Sequence, residues 1–180
     1  MSTQAPASYA LSGQQFINGE WRTGRSTRHL DDRNPFNNDQ LIDMPLGSVN
    51  DINDSYLAAQ KAQALWAKVN PAERVALANR LAAVMESRSE EVINWLIRES
   101  GSTRIKATFE CFHTISMIRE CATLPFQVEG KILNSFKPGK QSFVFREPLG
   151  VIGVISPWNF PLYLGLRSVI PAIALATPWS

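Results

Sequence analysis

The sequence predicts an α/β fold, and three observations carry that expectation. Val151 to Ile155 form a run of apolar, mostly β-branched residues, as in a buried parallel strand. The run leads into a proline-bracketed turn, Pro157-Trp-Asn-Phe-Pro161, and then into a helical stretch. Upstream, apolar residues recur at helical spacing from Asp51 onward, and an Asn18-Gly19 pair marks a β-hairpin. Open α/β sheets bind ligands beyond the carboxyl ends of their strands, so the turn after Ile155 is where a site is expected.

Taken in order, residues 1–14 have little periodicity and read as a flexible leader. Phe16-Ile17 and Glu20-Trp21 flank Asn18-Gly19 as hairpin arms, Gly24 to Arg33 reads as loop, and Asn34-Pro35 demands an extended or turn backbone. Leu41 to Leu46 predicts a short strand ended by Gly47. Ile52, Tyr56, Ala59, Ala62 and Trp66 outline the inner face of a first helix. Asn70-Pro-Ala-Glu73 starts a second, with Val75, Ala78, Leu81, Ala82 and Met85 inward. Ser87 to Glu90 offers a capping box for a third, which carries Val92, Trp95, Leu96 and Glu99 and stops at Gly101. Ser102 caps a fourth, with Ile105, Phe109, Phe112, Ser116 and Ile118, ended by Pro125. Lys137 to Lys140 is a turn and Phe143 to Glu147 a strand.

Composition narrows the class. The chain has 180 residues, 44% apolar and 19% charged, as for one soluble domain. A net charge of +2, spread along the chain, excludes an electrostatic nucleic-acid binder or a membrane-surface protein. No apolar run spans a bilayer, and the start lacks the pattern of a secretory signal. Cys111 and Cys121 form no metal or disulfide framework, so a cytoplasmic location is expected. His29 and His113 stand alone, and no metal site is expected.

Glu147-Pro-Leu-Gly-Val-Ile-Gly-Val-Ile-Ser-Pro-Trp-Asn-Phe-Pro161 resembles a segment of the NAD(P)-dependent aldehyde dehydrogenases. The resemblance extends back through Asn34-Pro35 to Phe16-Ile-Asn-Gly-Glu-Trp21 and forward to Leu175. It implies an amino-terminal, truncated part of that fold: a hairpin and helical block packed on the start of a Rossmann-like cofactor-binding sheet. Residues 15–136 would be the hairpin and helices, 137–149 a strand of the oligomerisation arm, and 150–175 the first strand, turn and helix of the cofactor domain. Leu166 to Pro171 with Pro161 to Tyr163 is most similar to members acting on benzaldehyde or vanillin.

The resemblance also implies roles. Asn159 becomes the donor to the oxyanion formed when a cysteine attacks the aldehyde; from the residues alone it is equally a helix cap. Ile155, Ser156, Pro157 and Trp158 would line the NAD or NADP cleft, or else pack a strand end. Phe160, Tyr163 and Leu164 would wall the substrate tunnel, or else form an amphipathic helix face. The partners implied are a small aldehyde and further copies of the chain.

Departures qualify this. The family's nucleophilic Cys, general-base Glu and ribose-binding Lys follow later in its sequence; Cys111, Cys121, Glu99 and Glu147 do not match them. The 180-residue chain is therefore expected to be inactive alone and, with unpaired strand edges, poorly soluble or partly unfolded. Its last five residues, Ala176-Thr-Pro-Trp-Ser180, are what Gly-Asn-Ala-Val-Val becomes when GGC AAC GCC GTG GTC loses its first base, so 176–180 read as a frameshifted tail. The alternative role is a non-catalytic module that joins intact subunits.

Overall fold

Asn18 and Gly19 take positive φ, 56° and 83°, as a two-residue hairpin turn requires. They join β1 (Gln14–Ile17) to β2 (Glu20–Thr23), antiparallel, with Ile17 opposite Glu20. Phe16 lies opposite Trp21 and the two rings meet at 5.1 Å, a cross-strand pair that holds this register. The structure is a computed structural model and describes residues 13–175. Residues 176–180, expected to be a frameshifted tail, and nearly all of the expected leader lie outside the described residues.

Part of the expected loop over Gly24 to Arg33 is a strand. β3 (His29–Arg33) pairs antiparallel with β4 (Gln40–Pro45). Three of its five side chains are Asp or Arg and most are exposed, so no alternation marks it; backbone pairing with β4 makes it a strand. The connecting turn is fixed by Asn34, whose Oδ1 accepts from the Phe36 N–H at 2.9 Å and whose carbonyl accepts from the Asn38 N–H at 2.8 Å.

The described chain forms two compact units, residues 13–61 with 88–111, and 62–87 with 112–175. In the first unit the start of α1 (Val49–Trp66) is built around Asp51, which is 2% exposed. Ser48 is the N-cap: its carbonyl accepts from Ile52 N and its Oγ from Asp51 N. Asp51 Oδ2 in return accepts from Ser48 N at 2.8 Å, which closes a reciprocal capping box. The same carboxylate accepts from Arg25 N at 2.9 Å, Arg25 Nε at 2.6 Å and Arg22 Nη2 at 3.2 Å. Both arginines also reach Asp54, at 3.0 and 2.6 Å. The Ser48 N–H, then the Arg25 N–H, together with the side chains of both residues, hold the Asp51 carboxyl far below the usual carboxylate range. This cluster occupies the inward side of the first turn. Ile52 and Tyr56, expected inward, are consequently exposed.

α3 (Ser89–Ser100) follows α2 after one residue, so the capping box expected from Ser87 does not form. Ser87 Oγ donates instead to the Val84 carbonyl, and Arg88 takes the N-cap position and pairs with Glu91 at 2.6 Å. Gly101 ends α3 with φ of 66°. A Cβ there would stand 2.9 Å from Pro35 Cγ, so both backbone conformation and space demand glycine.

α4 (Arg104–Cys121) is capped by Thr103, not Ser102: Thr103 Oγ1 accepts from Lys106 N at 3.3 Å and its carbonyl from Ala107 N. Its buried face is Ala107, Glu110, Cys111, Thr114, Ile115 and Ile118. The expected face is turned outward at Ile105 (85% exposed), Phe109 and Phe112. The helix has two apolar stripes, and burial selects the one whose polar members are satisfied. Lys106 Nζ joins Glu110 at 3.2 Å and Ser102 Oγ at 2.7 Å.

In the second unit, α2 (Pro71–Ser87) starts as expected, with Asn70 Oδ1 accepting from Ala72 N at 2.8 Å. Ala78 and Ala82 are buried, whereas Leu81 is exposed. β5 (Lys131–Leu133) and β6 (Ser142–Val144) form a short antiparallel ribbon, its turn using Gly139 at φ 76°. α5 (Pro161–Leu175) packs on α2 and on a 3-10 turn over Leu124–Phe126. Two side chains grip the last described turn of α5. Trp66 Nε1 donates to the Ile173 carbonyl at 2.8 Å, and buried Arg74 donates through Nη1 to the Leu175 carbonyl at 2.5 Å.

The expected strand Val151 to Ile155 is absent. The segment has no strand partner among the described residues, and an extended segment becomes a strand only when its N–H and C=O groups are laddered to a neighbour.

Two variants of the intact protein test this account. Gly101→Ala lowers stability by about 1–3 kcal/mol, from left-handed strain and the Pro35 contact; unchanged denaturant midpoints contradict it. For Asp51, the folded-state pKa is depressed, so its stabilisation is complete above the ordinary carboxylate value of about 3.9 and disappears as pH falls below it. The Tm difference between wild type and Asp51→Asn is therefore large at pH 7 and shrinks from about pH 4 downward. A pH-independent difference contradicts the role given to this carboxylate.

Candidate functional site

Residues 151–157 have no regular secondary structure, 158–160 bend, and α5 begins at Pro161. Prolines at 157 and 161 fix φ at both ends of the bend. The first helical bond runs from Leu164 N to the Phe160 carbonyl at 2.9 Å, which makes Phe160 the N-cap. Asn159 thus stands one residue ahead of the cap and does not cap α5. Its side chain is exposed and has no hydrogen-bond partner among the described residues.

The residues expected to line a cofactor cleft are open. Ile155 is 97% and Trp158 85% exposed, and Pro157 is exposed too. Residues 151–157 make no backbone–backbone hydrogen bond among the described residues. Ser156 is exposed but engaged: its Oγ donates to the Pro161 carbonyl at 2.6 Å.

Phe160 and Leu164 share one face of the first turn of α5 by their four-residue spacing, and both are half-buried. Tyr163 is turned toward α4, its ring 4.6 Å from that of His113. The structure therefore brings Asn159 to the same bend as Phe160 and Leu164, with Tyr163 packed on a neighbouring helix.

Neither cysteine belongs to this site. Both are buried, Cys111 with its Sγ 4.0 Å from the Ser89 carbonyl and Cys121 with its Sγ 3.5 Å from Met117 Sδ. Burial, then the nearby Glu110 and Glu90 charges, pushes the Cys111 thiol up; burial, then Glu120, does the same for Cys121. Among the described residues no group of three His, Cys, Asp or Glu side chains is placed to hold a metal ion, and no helix is long and apolar enough to cross a membrane.

Sequence reasoning missed the helix cap in the first unit and, in the second, the side chains that hold α5. Ser48-x-x-Asp51 is itself a capping-box pattern and was legible as one. Nothing local marks Arg74 or Trp66 as reaching α5, because their partners lie 101 and 107 positions away.

Comparison with known proteins identifies the family and the fold. The aldehyde dehydrogenase family profile matches residues 21–177. A vanillin dehydrogenase of Corynebacterium glutamicum is 44% identical over 162 residues, 90% of this chain and 34% of the relative. A benzaldehyde dehydrogenase of Bacillus subtilis is 38% identical over 92% of this chain and 34% of its own length. The crystal structure of an NAD-dependent benzaldehyde dehydrogenase from C. glutamicum superposes with a TM-score of 0.90 at 42% identity, covering 94% of this chain and 37% of that one. The described residues thus have the aldehyde dehydrogenase fold, and the chain spans about a third of the length of the curated relatives it matches.

Buried thiols with raised pKa values resist alkylation. In the folded protein at pH 8, peptide mapping after iodoacetamide treatment is expected to find Cys111 and Cys121 unmodified, and in urea fully modified. Native labelling of either contradicts its burial.

Proposed function

The chain belongs to the aldehyde dehydrogenase family, and on that premise we propose that the intact protein oxidises an aromatic aldehyde, of the benzaldehyde or vanillin type, to its carboxylic acid. The carbonyl carbon would pass through a cysteine thiohemiacetal and thioester. NAD or NADP, when bound, supplies the hydride acceptor. The observation that carries this reading is the Asn159 amide: exposed, uncommitted to any cap, and held in a bend whose two ends are fixed by proline.

In this reading Asn159 donates a hydrogen bond to the oxygen that becomes negative when a thiolate adds to the carbonyl. Such a donor is effective because it is oriented before the charge appears. Main-chain groups of Ile155, Ser156, Pro157 and Trp158 would hold the nicotinamide end of the cofactor, with the Ile155 and Trp158 side chains against its ring. Phe160 and Leu164 would face the aldehyde's aromatic ring, and Tyr163 would back them from α4. Cys111 and Cys121 are buried thiols, so the nucleophile is assigned to another part of the intact protein. A polypeptide of these 180 residues is accordingly proposed to be inactive by itself. Two cysteines kept as free thiols suit the cytoplasm.

A second reading concerns assembly. Phe143 and Phe145 stack at 6.1 Å on the β5–β6 ribbon and are exposed, which favours residues 137–149 as an arm that joins copies of the chain.

Steady-state kinetics of the intact protein with benzaldehyde and NAD+ test the main reading. Asn159→Ala is expected to lower kcat by about 10²–10³-fold, the usual effect of removing one oxyanion donor. A kcat within threefold of wild type would sink the assignment. The 180-residue polypeptide alone is expected to show no turnover, and measurable oxidation by it would place the nucleophile among Cys111 and Cys121 after all.

A further inference from the structure

The Ser156 side chain ties the bend that carries Asn159 to α5. Ser156 Oγ donates to the Pro161 carbonyl at 2.6 Å, with the Pro157 carbonyl farther away at 3.4 Å. A helical Pro161 carbonyl also serves the N–H four residues on, that of Gly165; a carbonyl oxygen has two lone pairs and can take both. Gly165 is itself the second half of the arrangement. A Cβ on it would lie 3.3 Å from Ser156 Oγ and 3.4 Å from Ser156 Cβ, tighter than side chains normally pack. Glycine inside a helix is disfavoured relative to alanine, and here its missing side chain is the space into which Ser156 fits.

Phe160 anchors the far side of the bend through its half-buried side chain and the Leu164 N–H bond to its carbonyl. Pro157 and Pro161 fix their own φ angles, but Trp158 and Asn159 are exposed and no backbone–backbone hydrogen bond involves residues 157–159 among the described residues. The Ser156 hydroxyl therefore closes the loop from 156 to 161 and determines where the Asn159 amide stands above the helix.

We propose that Ser156 and Gly165 form a latch that positions Asn159, so that the Ser156 side chain is a positioning residue for aldehyde oxidation. The inference rests on the reading of Asn159 as oxyanion donor. A latch is a specific use of Ser156: its hydroxyl is spent on the helix, and only its backbone is left for the cofactor. Ser156→Ala then weakens the chemical step without weakening cofactor binding. Gly165→Ala pushes Ser156 away and gives the same loss by the opposite route.

The test uses the intact enzyme with benzaldehyde and NAD+, comparing Ser156→Ala, Gly165→Ala, the double variant and Asn159→Ala. Loss of one net hydrogen bond predicts a kcat lower by about 3- to 10-fold in each of the first two, with KM for NAD+ within about twofold of wild type and only small Tm shifts that do not parallel the loss of kcat. Since both substitutions break one contact, the double variant is no slower than the worse single one. A rise confined to the KM for NAD+ makes Ser156 a cofactor contact and overturns the latch. So do multiplicative losses in the double variant, or a fall in kcat that tracks a fall in Tm. If Asn159→Ala loses activity while Ser156→Ala is silent, the latch fails and the oxyanion reading stands. If Asn159→Ala is itself silent, both fail.

Discussion

The Asp51 carboxylate is the interaction on which the first unit depends. It is almost fully buried, accepts five hydrogen bonds from Ser48, Arg25 and Arg22, and ties the segment after β2 to the first turn of α1. A buried charge is tolerable only when its lone pairs are filled and an opposite charge is close. Here both conditions are met by backbone N–H groups and two guanidinium groups. The position of a carboxylate that must be satisfied decides which side of α1 faces inward, and it leaves Ile52 and Tyr56 facing out. Charge satisfaction outranks apolar periodicity at this end of the helix because an unpaired buried carboxylate costs more than an exposed isoleucine.

The second unit places the candidate site by holding one helix at both ends. At the far end Trp66 and Arg74 take the carbonyls of Ile173 and Leu175; at the near end Ser156 takes that of Pro161. Side chains that donate to helix carbonyls, as these three do, fix the helix against the segments that carry them. The Asn159 bend rides on the near end. Its geometry is a consequence of where α5 is held and of two prolines and one hydroxyl adjacent to it.

What was legible in the sequence was local. The Asn18-Gly19 turn, the Asn70 cap and the Gly101 stop each depend on a few consecutive residues, and each stands where those residues demand. The faces of α1 and α4 were not legible. In α4, Ile105, Phe109 and Phe112 make as good an apolar stripe as Ala107, Cys111, Ile115 and Ile118, and the buried stripe includes Glu110 and Thr114. Periodicity identifies a helix but cannot choose between two stripes when the choice turns on whether Lys106 and Ser102 can satisfy a buried glutamate. β3 escaped notice for the same kind of reason: its charged residues become a strand only through pairing with β4.

By itself the sequence determined the family, the order of turns and helices, and the residue types gathered around Asn159, because these follow from short-range backbone preference and from a specific run of residues. Tertiary structure alone decided that Val151 to Ile155 stays unladdered, that Asn159 precedes the α5 cap instead of providing it, and that both cysteines are sequestered as thiols. The physical reason is common to all three. Pairing, capping and desolvation are relations between groups, and a residue's own chemistry states only which relations it can enter, not which partner reaches it first.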